Sequence, residues 1–279
     1  MQTALITDST AYLSTEQAAA LQVRVVSLSV SLGDLTAAEV DVDPADWWRL
    51  LRAAGETRPK TSQPPPGAFV DAFTHAADGG ATRVLCLTCG AGLSGTHGSA
   101  LLAAGMSPIP VDVVDTGTIS GGLLLVVGIA ARSLLAGVEP DEVLARVRSL
   151  RGAVWSTWAS DSTRLLELGG RSRGPVPEGD GVPVLGLEGE IRTLGLARTA
   201  EESIALQAER VRAALKVRPG RISVGHGGAP AFADALAEEL TGAPGLMGID
   251  TYAVGPAVSA HVGPGSYGVN YLAPTGAPS

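Results

Sequence analysis

The sequence is short of cysteine and short of charge. Its two cysteines, Cys86 and Cys89 in RVLCLTCG, are too few for a disulfide scaffold. No second CxxC accompanies them, so a metal site is not expected. Inside so apolar a run both read as small hydrophobes of a buried strand. Charged residues make up only 17% and the net charge is −8, without a basic stripe. That argues against nucleic acid and against an anionic membrane surface as partners. There is no Walker A sequence and no GxGxxG after a strand, so a nucleotide is not expected. The N-terminus, MQTALITDST, lacks a basic segment followed by a long apolar one, so no signal peptide is expected. The most apolar stretch, ISGGLLLVVGIAARSLLAG at 119–137, is broken by glycines and Arg132 and has too short an apolar run to span a bilayer. It reads as a buried helix, with no transmembrane segment and a cytoplasmic location expected.

What is present is a folded α/β chain. Hydrophobic residues reach 45% of 279, enough for a sizeable core in one large or two medium domains. The first half repeats one phrase: TALIT, RVLCLTC and VDVVD each end in small polar residues and run into a helical pattern. Strands alternating with helices imply parallel βα units. DPADWWRLLRAAG reads as a helix capped by Asp43 with Pro44 at its first position, and AFVDAFTHAADGG as another. After EPDEVLARVRSLRG and AVWSTWAS, the stretch LGGRSRGPVPEGDGVP reads as a loop. The second half holds a hairpin around Glu188–Gly189, a helix from 200 whose Thr199 and Glu202 fit a capping box, the strand RISVGHGG, the helix APAFADALAEEL and a final strand region from 247. The expected architecture is therefore an N-terminal parallel-sheet α/β/α domain over 1–155 and a smaller C-terminal α+β domain over 156–279.

Ligands of open parallel sheets bind beyond the carboxyl ends of the strands. Hydroxyl-rich clusters fall there: Asp8-Ser9-Thr10, Ser94-Gly95-Thr96 and Asp115-Thr116. Thr61 and Ser62 stand in KTSQPPPGAF, just before a proline-led helix. Simple N-capping explains any one of them; several at one rim suggest an anion held by hydroxyls and amides. With Lys60 the only cation nearby, a singly charged carboxylate fits better than a polyphosphate. Of four histidines, His261 in SAHVGPGSYG is the most suggestive, in what reads as a rigid glycine- and proline-flanked turn. A Ser94–His261 acyl hydrolase is an alternative, although GLSGT is not the GxSxG elbow and no orienting acid is evident.

These motifs resemble a known family. ITDST, KTSQPPPGAF, LSGTHGSA, DTGTISGG, LGGR, GLARTAEE and AHVGPGSYGV occur in the order seen in the DegV family, the fatty-acid-binding subunits of bacterial fatty acid kinase. The resemblance covers nearly the whole chain. It implies a non-catalytic lipid-binding protein with a long-chain fatty acid in an apolar tunnel between two domains. The GGLLLVVGIAARSLL helix would either line that tunnel or pack the core. The resemblance assigns the carboxylate to Thr61 or Ser62, Ser94 with Gly95 and Thr96, and His261, with Ser62 favoured as the hydroxyl that faces the ligand. Asp8, Ser9 and Ser120 belong to the implied rim. Arg171 and Arg198 are implied as a head-group or partner-docking surface. The chain would have no cofactor of its own; a separate kinase subunit would bring ATP and Mg and form the acyl phosphate. Two departures are plain. His97 replaces the family's tyrosine in SGTY, and the segment after Arg171 looks shortened. A sensor of another small carboxylate is the remaining alternative.

Overall fold

The structure is a computed structural model that describes residues 2–160, 165, 181–188 and 190–273. Four strands, β1 (Thr3–Asp8), β2 (Val23–Val26), β6 (Arg83–Thr88) and β7 (Val111–Asp115), form a parallel sheet in the order β2-β1-β6-β7. Alternate side chains of the central strands β1 and β6 enter two different cores, which is why these two read as apolar runs, whereas the outer strands carry Arg24 and Asp112. Leu5, Leu85 and Leu87 pack against α5 (Gly121–Leu135) and α6 (Pro140–Ser149). Ile6, Val84 and Cys86 pack against α3 (Pro66–Asp78) and α4 (Thr96–Ala104). Both cysteines are buried and free, as a hydrophobe's role requires.

A six-stranded mixed sheet follows, in the order β10-β9-β8-β13-β11-β12. Its members are β8 (Val154–Ala159), β9 (Val182–Glu188), β10 (Glu190–Ala197), β11 (Gly220–Gly227), β12 (Leu246–Ala253) and β13 (Ser266–Leu272). Only β11 and β12 pair in parallel; the hairpin of β9 and β10 pairs Glu188 with Glu190. One face is covered by α7 (Ala200–Val217) and α8 (Pro230–Leu240), through Val211, Leu215 and Leu236 against Ile222, Tyr267 and Val269. Thr199 caps α7 by accepting the Glu202 N–H at 3.2 Å. On the opposite face lies α5, whose core also takes in Val154 and Leu272. A helix held between two sheets is apolar all round, which accounts for the long run at 119–137.

A third, smaller sheet was not among the expectations. β3 (Ser29–Leu32), β4 (Leu35–Ala38) and β5 (Lys60–Ser62) pair antiparallel in the order β4-β3-β5. With Trp47 and Trp48 of α2 (Pro44–Ala53), it clamps a short helix, α9 (Pro256–Val262), through Leu28, Val30, Ala257 and Ala260. Two expectations change here. Thr61 and Ser62 lie in a strand, not at a helix N-terminus; α3 begins only at Pro66, with Pro65 as its N-cap. His261 lies in the last turn of α9, not in a loop, because Pro256 starts a helix that Gly263, at φ 84°, ends.

Candidate ligand-binding site

Strand alternation decides which hydroxyl of the TSQP motif faces inward. In β5 successive side chains point to opposite faces. Thr61, paired with Val30 of β3, lines the cavity between the sheets. Ser62, paired with Ser29, is exposed and is not among the lining residues. The structure therefore corrects the expectation that Ser62 faces the ligand. Thr61 Oγ1 lies 3.0 Å from His261 Nε2, across 200 residues of sequence. On α9, Val258, His261 and Val262 stand at i, i+3 and i+4 and share the cavity face.

Ser94 reaches the same cavity from the loop before α4. Its hydroxyl lies 2.8 Å from the buried Thr96 hydroxyl, and it accepts the Thr96 N–H at 3.3 Å. Gly95 is the N-cap of α4 and lies under Gln63: a Cβ there would come 2.2 Å from the Gln63 amide oxygen. Gln63 in turn donates to Ser99 Oγ at 3.3 Å, tying the strand that carries Thr61 to the helix behind Ser94. His97, in place of the family's tyrosine, meets Thr88 Oγ1 through Nδ1 at 3.1 Å. The hydrogen bonds do not assemble a Ser94–His261 nucleophile and base: Ser94 meets Thr96, and His261 Nε2 meets Thr61.

The cavity holds about 960 Å³ of space between the walls, the open solvent at its mouth included. Leu93 and Ile119 from the first sheet's loops meet Trp158, Leu187 and Ile191 of the second sheet along one side. Among the described residues that line it there is no Lys, Arg, Asp or Glu. The floor is a glycine trough. Gly225 and Gly268 are neighbours in the β11–β13 ladder, and a Cβ on Gly225 would come 2.3 Å from the Tyr252 ring. Tyr252 is fixed above it by Asn270, whose amide donates to the phenol at 3.1 Å, and by Ser120, whose hydroxyl donates at 3.0 Å. Burial pushes the Tyr252 phenol above its ordinary range. Ser120 holds this position at φ 60° just before α5, a conformation rare outside glycine that costs about 1–3 kcal/mol.

The other expected rim residues divide. Ser120 lines the cavity; Asp8 and Ser9 do not, although their neighbour Thr10 does. Asp8 is fully buried and accepts the backbone N–H groups of Thr10 and Cys89, at 3.1 and 2.7 Å. Burial nonetheless raises its carboxyl, more than these bonds lower it. Arg198 stands away from the cavity, its side chain 87% exposed and paired with Glu202 at 3.1 Å. Arg171 and the shortened segment up to residue 180 lie outside the described residues. From α5 itself no described residue lines the cavity; of the two expectations for this helix, core packing is the one the structure shows, because sheets cover it on both sides.

Comparison with known proteins bears directly on this site. The family model of uncharacterised proteins called the DegV family matches residues 2–273. The chain belongs to the DegV family. A DegV domain-containing protein of Streptomyces coelicolor is 35% identical over 274 residues, covering 95% of this chain and 96% of that one. A DegV family protein of Thermus thermophilus, described by its fatty acid binding, superposes with a TM-score of 0.90 at 30% identity, covering 98% of this chain and 100% of that one. A DegV lipid-binding protein of Thermotoga maritima superposes at 0.88 with 25% identity over 98% of this chain and 99% of that one. The DegV architecture thus accounts for the parallel sheet and the mixed sheet. Among the described residues no helix is long and apolar enough to cross a membrane.

Proposed function

We propose that this DegV protein binds a long-chain fatty acid in the cavity, without catalysing a reaction itself. The carboxylate meets Thr61, Ser94 and His261, and the tail lies along Leu93, Ile119, Leu187 and Ile191. The observation that carries the reading is the composition of the cavity wall: apolar side chains, uncharged hydroxyl and amide groups, the Thr61–His261 pair, and no Lys, Arg, Asp or Glu among the described lining. Hydroxyls and an imidazole orient a single carboxylate, whereas a polyphosphate calls for cations. Each buried methylene contributes about 0.8 kcal/mol, so a tail of ordinary length supplies most of the affinity. The fatty acid binding of the Thermus relative supports the same ligand class.

In this reading the chain divides near residue 155 into two domains that wall the cavity from opposite sides. The acid is presented to the ATP-binding subunit of a fatty acid kinase, which supplies ATP, Mg and the phosphoryl transfer. Arg198, exposed and close to the chain's surface helix α7, and Arg171 belong to the surface that meets that subunit. Solvent extraction of the purified protein followed by mass spectrometry tests the ligand. The expected result is a long-chain fatty acid at near-stoichiometric yield. A short carboxylate in its place supports the sensor alternative. No extracted acid and no binding of added palmitate or oleate refutes the proposal.

A further inference from the structure

Behind the head-group site lies a buried carboxylate that the ligand reading does not use. Glu39 opens the 3-10 turn Glu39–Asp41 after β4 and is 3% exposed. Its Oε1 accepts the Ala257 N–H at 2.6 Å, in the first turn of α9 and 218 residues away. Its Oε2 accepts the Ser9 hydroxyl proton. An ionised carboxylate has no proton to give, so Ser9 donates here, while its Oγ accepts the Leu28 N–H at 3.0 Å. The Tyr12 phenol also meets the carboxylate and accepts the Val258 N–H at 2.9 Å. Gly255 makes room: a Cβ there would lie 2.5 Å from the Tyr12 ring and 3.1 Å from Glu39 Oε1. One carboxylate thus joins the turn beside Thr10 to the helix that carries Val258 and His261, and Thr10, Val258 and His261 all line the cavity.

The groups facing Glu39 are few. Asp8 lies behind Ser9, and Tyr252 stacks on Tyr12 with ring centroids 6.1 Å apart. His261 stands at the far end of α9. β3 and α2 turn Val30, Trp47 and Trp48 toward that helix, while Arg49, Arg52 and Lys60 are exposed. Burial pushes the Glu39 carboxyl up to about 7, against the hydrogen bonds from Ser9, Ala257 and Tyr12 that lower it; Asp8 adds to the rise. Protonation removes the charge that strengthens the bonds from Ser9 and the Ala257 N–H, and adds a hydrogen beside them, while the Tyr12 hydroxyl donates to Gly255 O at 3.4 Å; the hold on the first turn of α9 weakens.

We propose that Glu39 is a positioning residue for the head-group site: ionised, it holds the first turn of α9 and so the His261 ring against Thr61; protonated, it lets that turn shift and weakens the hold on the ligand. The inference rests on the fatty acid reading for its consequence, but not for its geometry. The test uses the full chain freed of lipid, as wild type, Glu39→Gln and Ser9→Ala. Palmitate dissociation constants are measured from pH 6.0 to 8.5, and the His261 ring resonances of the ligand-free chains are followed over the same range.

The ratio of the Glu39→Gln constant to that of wild type should be near one at pH 6.0 and at least fivefold at pH 8.5. The wild-type His261 resonance should show a second inflection near pH 7 that Glu39→Gln lacks and that Ser9→Ala moves upward. If Glu39→Gln does not fold, the Ser9→Ala shift decides alone. A ratio independent of pH, an inflection shared by wild type and Glu39→Gln, or one that Ser9→Ala leaves in place overturns the proposal. Failure of every chain to bind palmitate refutes the fatty acid reading instead, and the His261 titration still decides the role of Glu39.

Discussion

Thr61→Val separates the two hydroxyls of the TSQP motif. Valine keeps the β-branched shape that suits β5 and removes only the hydroxyl. In the structure that hydroxyl is 3.0 Å from His261 Nε2 and on the cavity wall. Its loss removes a hydrogen bond to a charged head group, worth about 1.5–3 kcal/mol, so affinity should fall about 10- to 150-fold. His261 also loses one of its hydrogen-bonding partners. Ser62→Ala is the control. Ser62 is exposed on the other face of β5, and exposed substitutions stay within about 0.5 kcal/mol, or a factor of about two. Isothermal titration of lipid-free protein with palmitate reads both, with urea unfolding to show that neither variant has lost its fold. Equal effects, or a larger one at Ser62, would refute the assignment of Thr61 and the strand alternation behind it.

Two further outcomes follow from the packing. The Glu39 carboxyl ionises at about 7 in the folded chain and at 4.5 when free. The folded protein therefore keeps this proton over a window in which the unfolded chain has lost it, and stability falls as pH rises from 4.5 to 7. The full loss from this group is about 3 kcal/mol. Glu39→Gln should remove that slope, so its stability relative to wild type climbs between pH 5 and pH 8 in urea titrations; parallel curves would contradict the burial argument. Gly225→Ala sets a methyl 2.3 Å from the Tyr252 ring. The ring must move toward the cavity, at about 1–3 kcal/mol of stability, and affinity for C16 and C18 acids should drop at least tenfold (an order-of-magnitude expectation from overpacking). Unchanged affinity would mean that the glycine trough is not the floor of the ligand site.

Much of this could be read in the sequence, and the misses have physical causes. The βα phrases were legible because β1, β6 and β7 are largely apolar and end in polar residues, whereas β2, four residues with Arg24 exposed, was not singled out. The 119–137 run was legible as a buried helix, but its neighbours were not; only the fold reveals that a sheet covers it on each side. VVSLSVSLG alternates with period two, and Val30 and Leu32 are indeed the buried members, a signal that could have found β3. β5 is three residues long and hidden by the prolines after it, so Thr61 and Ser62 read as helix-rim hydroxyls and their faces could not be assigned. α9 is seven residues between glycines and prolines, which is why His261 read as a loop residue. The Glu39 tie joins Ser9, Tyr12 and Ala257, and the Tyr252–Asn270–Ser120 network joins two strands of the mixed sheet to the start of α5. Neither contact has a local pattern, because each depends on how distant elements pack.

The most direct test of the account is an electron-density map of the chain crystallised with palmitate. The predicted result is one acyl chain in the cavity, its carboxylate within hydrogen-bond distance of Thr61 Oγ1 and His261 Nε2, Ser94 beside it, and its tail along Leu93, Ile119, Leu187 and Ile191. An empty cavity, or a carboxylate placed away from Thr61 and His261, would contradict it.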